Sequence, residues 1–209
     1  MKFSLFLFLI IVIAFITIPA LGQETKPMAE EMPSMIPPKP LSGDFNNWMV
    51  GEWEGYSDSP MGKSKDWMKC DWALDKQFIV ITYEGKFVEP NMEMMEGMAK
   101  QMNMSKEDMD KMAETPYKGM GLVSEDPQTG KMMGYWFDNW RGVSKGSGSQ
   151  EKDTQTMTWE GSMGTEVRTI EMVGMDKMMI TFKSSSPMGE FEGKSEYTRK
   201  GSSQGSGSK

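Results

Sequence analysis

Residues Phe78 to Phe87 alternate in character: Ile79, Ile81, Tyr83 and Phe87 fall on one side, Thr82, Glu84 and Lys86 on the other. Successive side chains of an extended chain point to opposite faces, so a period of two predicts a strand with one face buried. Similar alternation runs through Trp67–Trp72, Lys131–Asp138, Thr156–Gly161, Met178–Ser185 and Glu190–Arg199. About ten short strands separated by turn residues predict an all-β antiparallel sandwich or barrel. One connection carries its own mechanism. In the stretch from Glu125 to Lys131, Asp126 caps locally, Pro127 presets φ and Gly130 accepts a positive φ. It predicts a hairpin joining Tyr117–Ser124 to Lys131–Asp138.

One stretch breaks the strand pattern. From Asn91 to Glu114 there is no β-branched residue, methionine and charged residues dominate, and Ser105-Lys106-Glu107-Asp108 reads as a capping box. Two short helices are expected, Asn91–Gln101 and Lys106–Glu114, inserted between the third and fourth strands.

The ends differ from the middle. Lys2, the apolar run Phe3 to Ile18, then Pro19 and Ala20-Leu21-Gly22 follow the order of a secretory signal. Residues 1–22 are therefore expected to direct export, secreted or periplasmic. The apolar run is short for a bilayer span, which takes about 20 residues, so cleavage is favoured over a retained anchor, with no membrane contact afterwards. Residues 23–40 hold five prolines among polar residues and methionine, the composition of an extended linker. Residues 201–209 are a Gly/Ser tail expected to be disordered. The working part, residues 41–200, has a length that suits one domain.

Composition removes several chemistries. The net charge is −7 and there is no Lys/Arg cluster, so nucleic acid is not an expected partner. The chain has no histidine, which excludes Ser-His and Cys-His catalysis, His-rich zinc sites and His-ligated haem. The single cysteine, Cys70, cannot form an intramolecular disulfide and reads as a small apolar residue. No catalytic constellation stands out, although a carboxylate-pair hydrolase needs only two facing Asp/Glu residues.

The order of motifs is then recognisable. The opening VGEWEG of Val50–Gly55, the segment GLVSEDPQTGKMMGYWFDNW of Gly121–Trp140 and the closing EYTRK of Glu196–Lys200 resemble the bacterial secreted family catalogued as domain of unknown function 1579. That family is similar to the calycins, the lipocalin and fatty-acid-binding barrels. The resemblance covers about residues 41–200 and implies a single up-and-down calycin-like β-barrel. The Met-rich insertion at 91–114 departs from it and is placed to cover a barrel mouth.

Such a barrel can hold one small ligand among every second residue of its strands. By this alternation Trp53, Tyr135, Phe137, Trp159 and Tyr197 are assigned to the interior, as ligand contacts or as ordinary core. Arg168 shares a face with Ile170 and Met172, and Arg199 with Tyr197. An inward arginine needs an anionic partner, either a carboxylate such as Glu52, Glu54 or Asp138, or a ligand. The fatty-acid-binding resemblance implies an Arg and Tyr holding an acidic head group.

Methionine is the oddity, 25 in 209 residues. Met92, Met95, Met98 and Met102 recur at helical spacing, and thioethers select Cu(I), so copper binding stands as an alternative to adaptable apolar packing. Otherwise no cofactor is expected. The expectation is a non-enzymatic exported barrel taking a small hydrophobic or amphipathic molecule, or, if its interior is filled, an interaction module.

Overall fold

The computed structural model describes residues 36–201. The expected signal, most of the linker and all but the first residue of the Gly/Ser tail lie outside them. The chain divides into two units, Met1–Pro37 and Pro38–Lys209. Of the first, the described Ile36 and Pro37 have no regular structure. The second is the barrel.

Ten strands follow one another as β1 (Gly51–Ser59), β2 (Gly62–Ala73), β3 (Phe78–Pro90), β4 (Tyr117–Glu125) and β5 (Met132–Asp138). They continue as β6 (Val143–Gln150), β7 (Thr154–Gly161), β8 (Gly164–Met172), β9 (Lys177–Ser186) and β10 (Gly189–Arg199). Each pairs antiparallel with its sequence neighbour, and β1 also pairs with β10, so the sheet closes as an up-and-down barrel. The period-two reading of β3 holds, with Ile79 and Ile81 buried inside. The β4–β5 turn is the expected one: Asp126 Oδ1 accepts from the amides of Gln128 (2.9 Å) and Thr129 (3.0 Å), and Gly130 has φ 69°.

Three helices accompany the strands. α1 (Asp44–Met49) precedes β1, a six-residue helix too short for periodicity to announce. α2 (Met92–Gln101) and α3 (Lys106–Glu114) form the insertion between β3 and β4. The side chains of Asn91 and Ser105 cap them, accepting from the amides of Met94 and Asp108.

α1 plugs one end. Its Phe45, Trp48 and Met49 are buried against Trp53, Met68, Cys70, Ile79 and Met178, which fill that half of the barrel. Trp48 Nε1 donates to the carbonyls of Gly174 (2.9 Å) and Met175 (3.0 Å), tying the plug to the β8–β9 turn, and Trp53 Nε1 donates to Met49 O at 3.0 Å.

The opening and closing motifs meet at the seam, where Trp53 stands opposite Arg199. Arg199 is one of the residues expected to hold a ligand, and its position corrects that expectation. Its guanidinium lies 4.1 Å over the Trp53 ring and donates to the carbonyls of Val50 (2.8 Å) and Trp48. It thus satisfies the carbonyl end of the plug. Glu52 and Glu54, offered as its partners, point outward and pair with Lys200 at 2.8 and 3.2 Å. Gly51 is required here, since its φ is 142° and a Cβ would run into the Arg199 guanidinium.

Replacing Arg199 by Met should therefore lower unfolding free energy by about 2 kcal/mol, the scale of charged hydrogen bonds lost from sheltered carbonyls. Lys200→Met, on the exposed face of the same seam, should change it little. Urea unfolding of both variants checks the contrast.

Candidate functional site

The other half of the barrel is hollow. A cavity with lobes of about 400 and 360 Å³ occupies it, the two sharing Met61, Met98, Tyr117, Trp136, Arg168 and Phe182 as walls. Its mouth is ringed by the β1–β2, β5–β6, β7–β8 and β9–β10 turns, represented by Met61, Gly142, Met163 and Met188.

Aromatic rings form a continuous wall. Trp159 and Trp136 lie 6.5 Å apart, Trp136 and Tyr83 6.3 Å, Tyr83 and Tyr117 5.9 Å, and Tyr117 and Trp140 5.7 Å. Trp136 Nε1 donates to the Tyr117 hydroxyl at 2.7 Å, which fixes both rings. Glycines make the wall possible. A Cβ at Gly119 or Gly121 of β4 would strike the Trp136 indole, so the ring can lie close over the backbone only because those positions carry no side chain.

The helical insertion contributes to the cavity lining. Met98 of α2 lines both lobes, and Met112 of α3 lines the smaller with Phe87. The two helices hold together through a core of their own, Met95, Ala99 and Met109, with Met104 and Met112 at its edge. Of the four methionines at helical spacing, Met95 is buried in this core, Met98 faces the cavity, and Met92 and Met102 are exposed. They occupy three environments.

The polar groups are few. Arg168 donates from Nε to Glu166 Oε1 at 2.8 Å and its Nη2 lies 2.7 Å from the same oxygen, while Ser184 donates to Glu166 Oε2 at 3.2 Å. Burial opposes the Arg168 charge, but Glu166 and the surrounding phenols outweigh it and strengthen its hold on the proton. Asp138 accepts from the amides of Trp140 (2.9 Å) and Gly142 (2.8 Å). Asp66 is 1% exposed and accepts from Ser64 at 2.7 Å, Tyr197 at 3.0 Å and Ser57. Burial pushes the Tyr117 phenol up to about 12 and raises those of Tyr83 and Tyr197 as well.

Of the residues expected inside, Trp159, Arg168 and Tyr197 border the cavity. Trp53 is fully buried in the filled half. Tyr135 and Phe137 are corrected: at 40% and 38% exposure they lie on the outer face, and Trp136 between them points inward. The segment Met132–Asp138 is apolar in both phases, so alternation could not choose. Gly134, in phase with Trp136 and packed against Trp159, was the available signal. Asp66 was missed because Lys-Ser-Lys-Asp reads as exposed polar surface.

The class defined is a closed ten-stranded antiparallel barrel with an internal cavity. No family model and no curated protein matches the chain. Among solved structures it is similar to an S-type phycobiliprotein lyase from Guillardia theta, at 12% identity over 74% of this chain and 90% of that one, with a TM-score of 0.48. A de novo designed fluorescence-activating β-barrel matches at 14% identity over 76% and 99%, with a TM-score of 0.38. A protein of unknown function from Nostoc punctiforme, of the domain-of-unknown-function 3598 family, matches at 8% identity over 76% and 100%, with a TM-score of 0.24.

Gly121→Val should push Trp136 off the wall and cost about 2 kcal/mol in stability, as overpacking does; near-UV circular dichroism and denaturant titration report both effects. A phenol raised by folding stabilises the folded state below the unfolded pKa and loses that contribution as pH rises through the folded one. Stability should accordingly fall between pH 10 and about 12, where Tyr117 titrates. Absorbance at about 295 nm, followed alongside far-UV circular dichroism, should show the buried phenols ionising as the barrel unfolds.

Proposed function

We propose that this chain is an exported, non-enzymatic barrel that carries a small apolar or amphipathic molecule in its hollow half. The observation that carries the proposal is the contrast between the two halves. One is packed solid around Trp53, while the other leaves about 400 Å³ bounded by Trp136, Trp159, Tyr117 and Phe182. Volumes of this size, mostly apolar with a few placed polar groups, suit small-molecule sites. Methionine over the opening suits guests of varied shape. Residues 1–22 support export.

The expected acidic head group finds less support than the apolar body. Arg199 lies at the plug, and Arg168 is already paired with Glu166. The polar end of the guest must meet this ion pair or the hydroxyls around Asp66.

The test is native mass spectrometry of protein purified from its own export compartment, before and after denaturation. A retained small-molecule mass released on unfolding is expected. In parallel, N-phenyl-1-naphthylamine should bind the emptied barrel at one site with enhanced emission, and Ser184→Trp, which fills the larger lobe, should abolish that binding while the barrel remains folded. No retained mass and no probe binding would overturn the proposal.

A further inference from the structure

Asp66 is a buried carboxyl group with no basic partner. Among the described residues no Lys or Arg lies within ion-pair distance of it. Its ligands are hydroxyls: Ser57 and Tyr197 donate to Oδ2 and Ser64 to Oδ1. Ser57 and Ser195 oxygens lie 2.6 Å apart, and because the Ser57 proton is committed to Asp66, Ser195 must be the donor of that pair. All four hydroxyls thus spend their single proton within the wall, and what remains on them is lone pairs. Ser57, Ser64, Ser195 and Tyr197 together line the smaller lobe, so this part of its wall accepts hydrogen bonds and has none to give.

The charge balance points the same way. Arg168, the cation lining both lobes, is matched by Glu166, leaving Asp138 at the larger lobe and Asp66 behind the smaller as carboxyl groups without a basic partner. A buried charge is costly without an opposite one, and a guest can supply it. The aromatic faces of Tyr83, Tyr117 and Trp136 in the same lobe are themselves attractive to cations.

We infer that the guest is a cationic amphiphile, an amine or similar N–H cation on an apolar body, whose charged end sits on the hydroxyl wall in front of Asp66 while its body lies along the aromatic wall. This rests on the carrier function proposed above and specifies its guest.

Three probes with one fluorophore and different ends separate the two ideas: dansylcadaverine, which ends in an ammonium, its N-acetyl derivative, which is neutral, and dansyl-6-aminohexanoic acid, which ends in a carboxylate. The wild-type protein should bind the ammonium probe about tenfold more tightly than the neutral one, from one uncompensated charge at short range in a sheltered site, and the carboxylate probe most weakly. Asp66→Asn should bring the ammonium-to-neutral ratio to within about twofold. Equal binding of all three by the wild type, or tightest binding of the carboxylate, would overturn the cationic guest and leave the carrier function standing. An unchanged ratio in a folded Asp66→Asn would overturn the role of Asp66. Binding of none would overturn both proposals. The wild-type ranking needs no variant to fold.

Discussion

Pairing of β1 with β10 removes the two open edges that a ten-stranded sheet would otherwise present, and the seam does more than close the cylinder. On its inner face Arg199 stacks on Trp53 and takes the carbonyls that end α1. On its outer face Lys200 holds Glu52 and Glu54. Two motifs separated by most of the chain are therefore one structural unit. The plug is fixed by the same arginine that fixes the seam, so one end of the barrel is sealed as a consequence of its closing.

The division into a filled and a hollow half follows from side-chain size. Around the plug, inward positions carry Trp53, Met68, Cys70, Ile79, Ile81, Val123 and Met157, large side chains that fill most of this half, with a pocket of only about 40 Å³ left among Met68, Ile81, Val123 and Met157. Toward the mouth the inward positions become Gly85, Gly119, Gly161, Ser64, Ser144 and Ser184, or rings that lie close over glycine. The cavity is a property of this sequence more than of the barrel as such, because larger residues at the same positions would fill it. Cys70 belongs to the solid half, and burial pushes its thiol up to about 12.

Much of the architecture was legible because its signals are local. The face assignment of β3, the cap of α3 at Ser105 and the Asp126 turn each depend on a few adjacent residues, and all three form as read; Asn91, expected inside the first helix of the insertion, caps it instead. The site was less legible because its logic is non-local. Tyr135 and Phe137 were chosen over Trp136 since a strand apolar on both faces has no preferred phase. The decision is made by Gly119 and Gly121 on the neighbouring strand, where the indole needs room. Arg199 belongs to a carbonyl cluster on a helix of six residues, too short to read from periodicity. Asp66 looks like surface in sequence and becomes interior only once β1 and β10 bring Ser57 and Tyr197 to it.

The insertion has a separate core, made of thioethers and alanine and distinct from the packing that holds the barrel. Unbranched sulfur side chains exchange one arrangement for another at small cost, while the wall behind them is fixed by strand pairing and by indoles locked to a phenol. Rigidity and compliance are thus assigned to different directions. Breadth is set by an unyielding girdle and height by a soft ceiling, so the hollow half can deepen or shorten far more easily than it can widen.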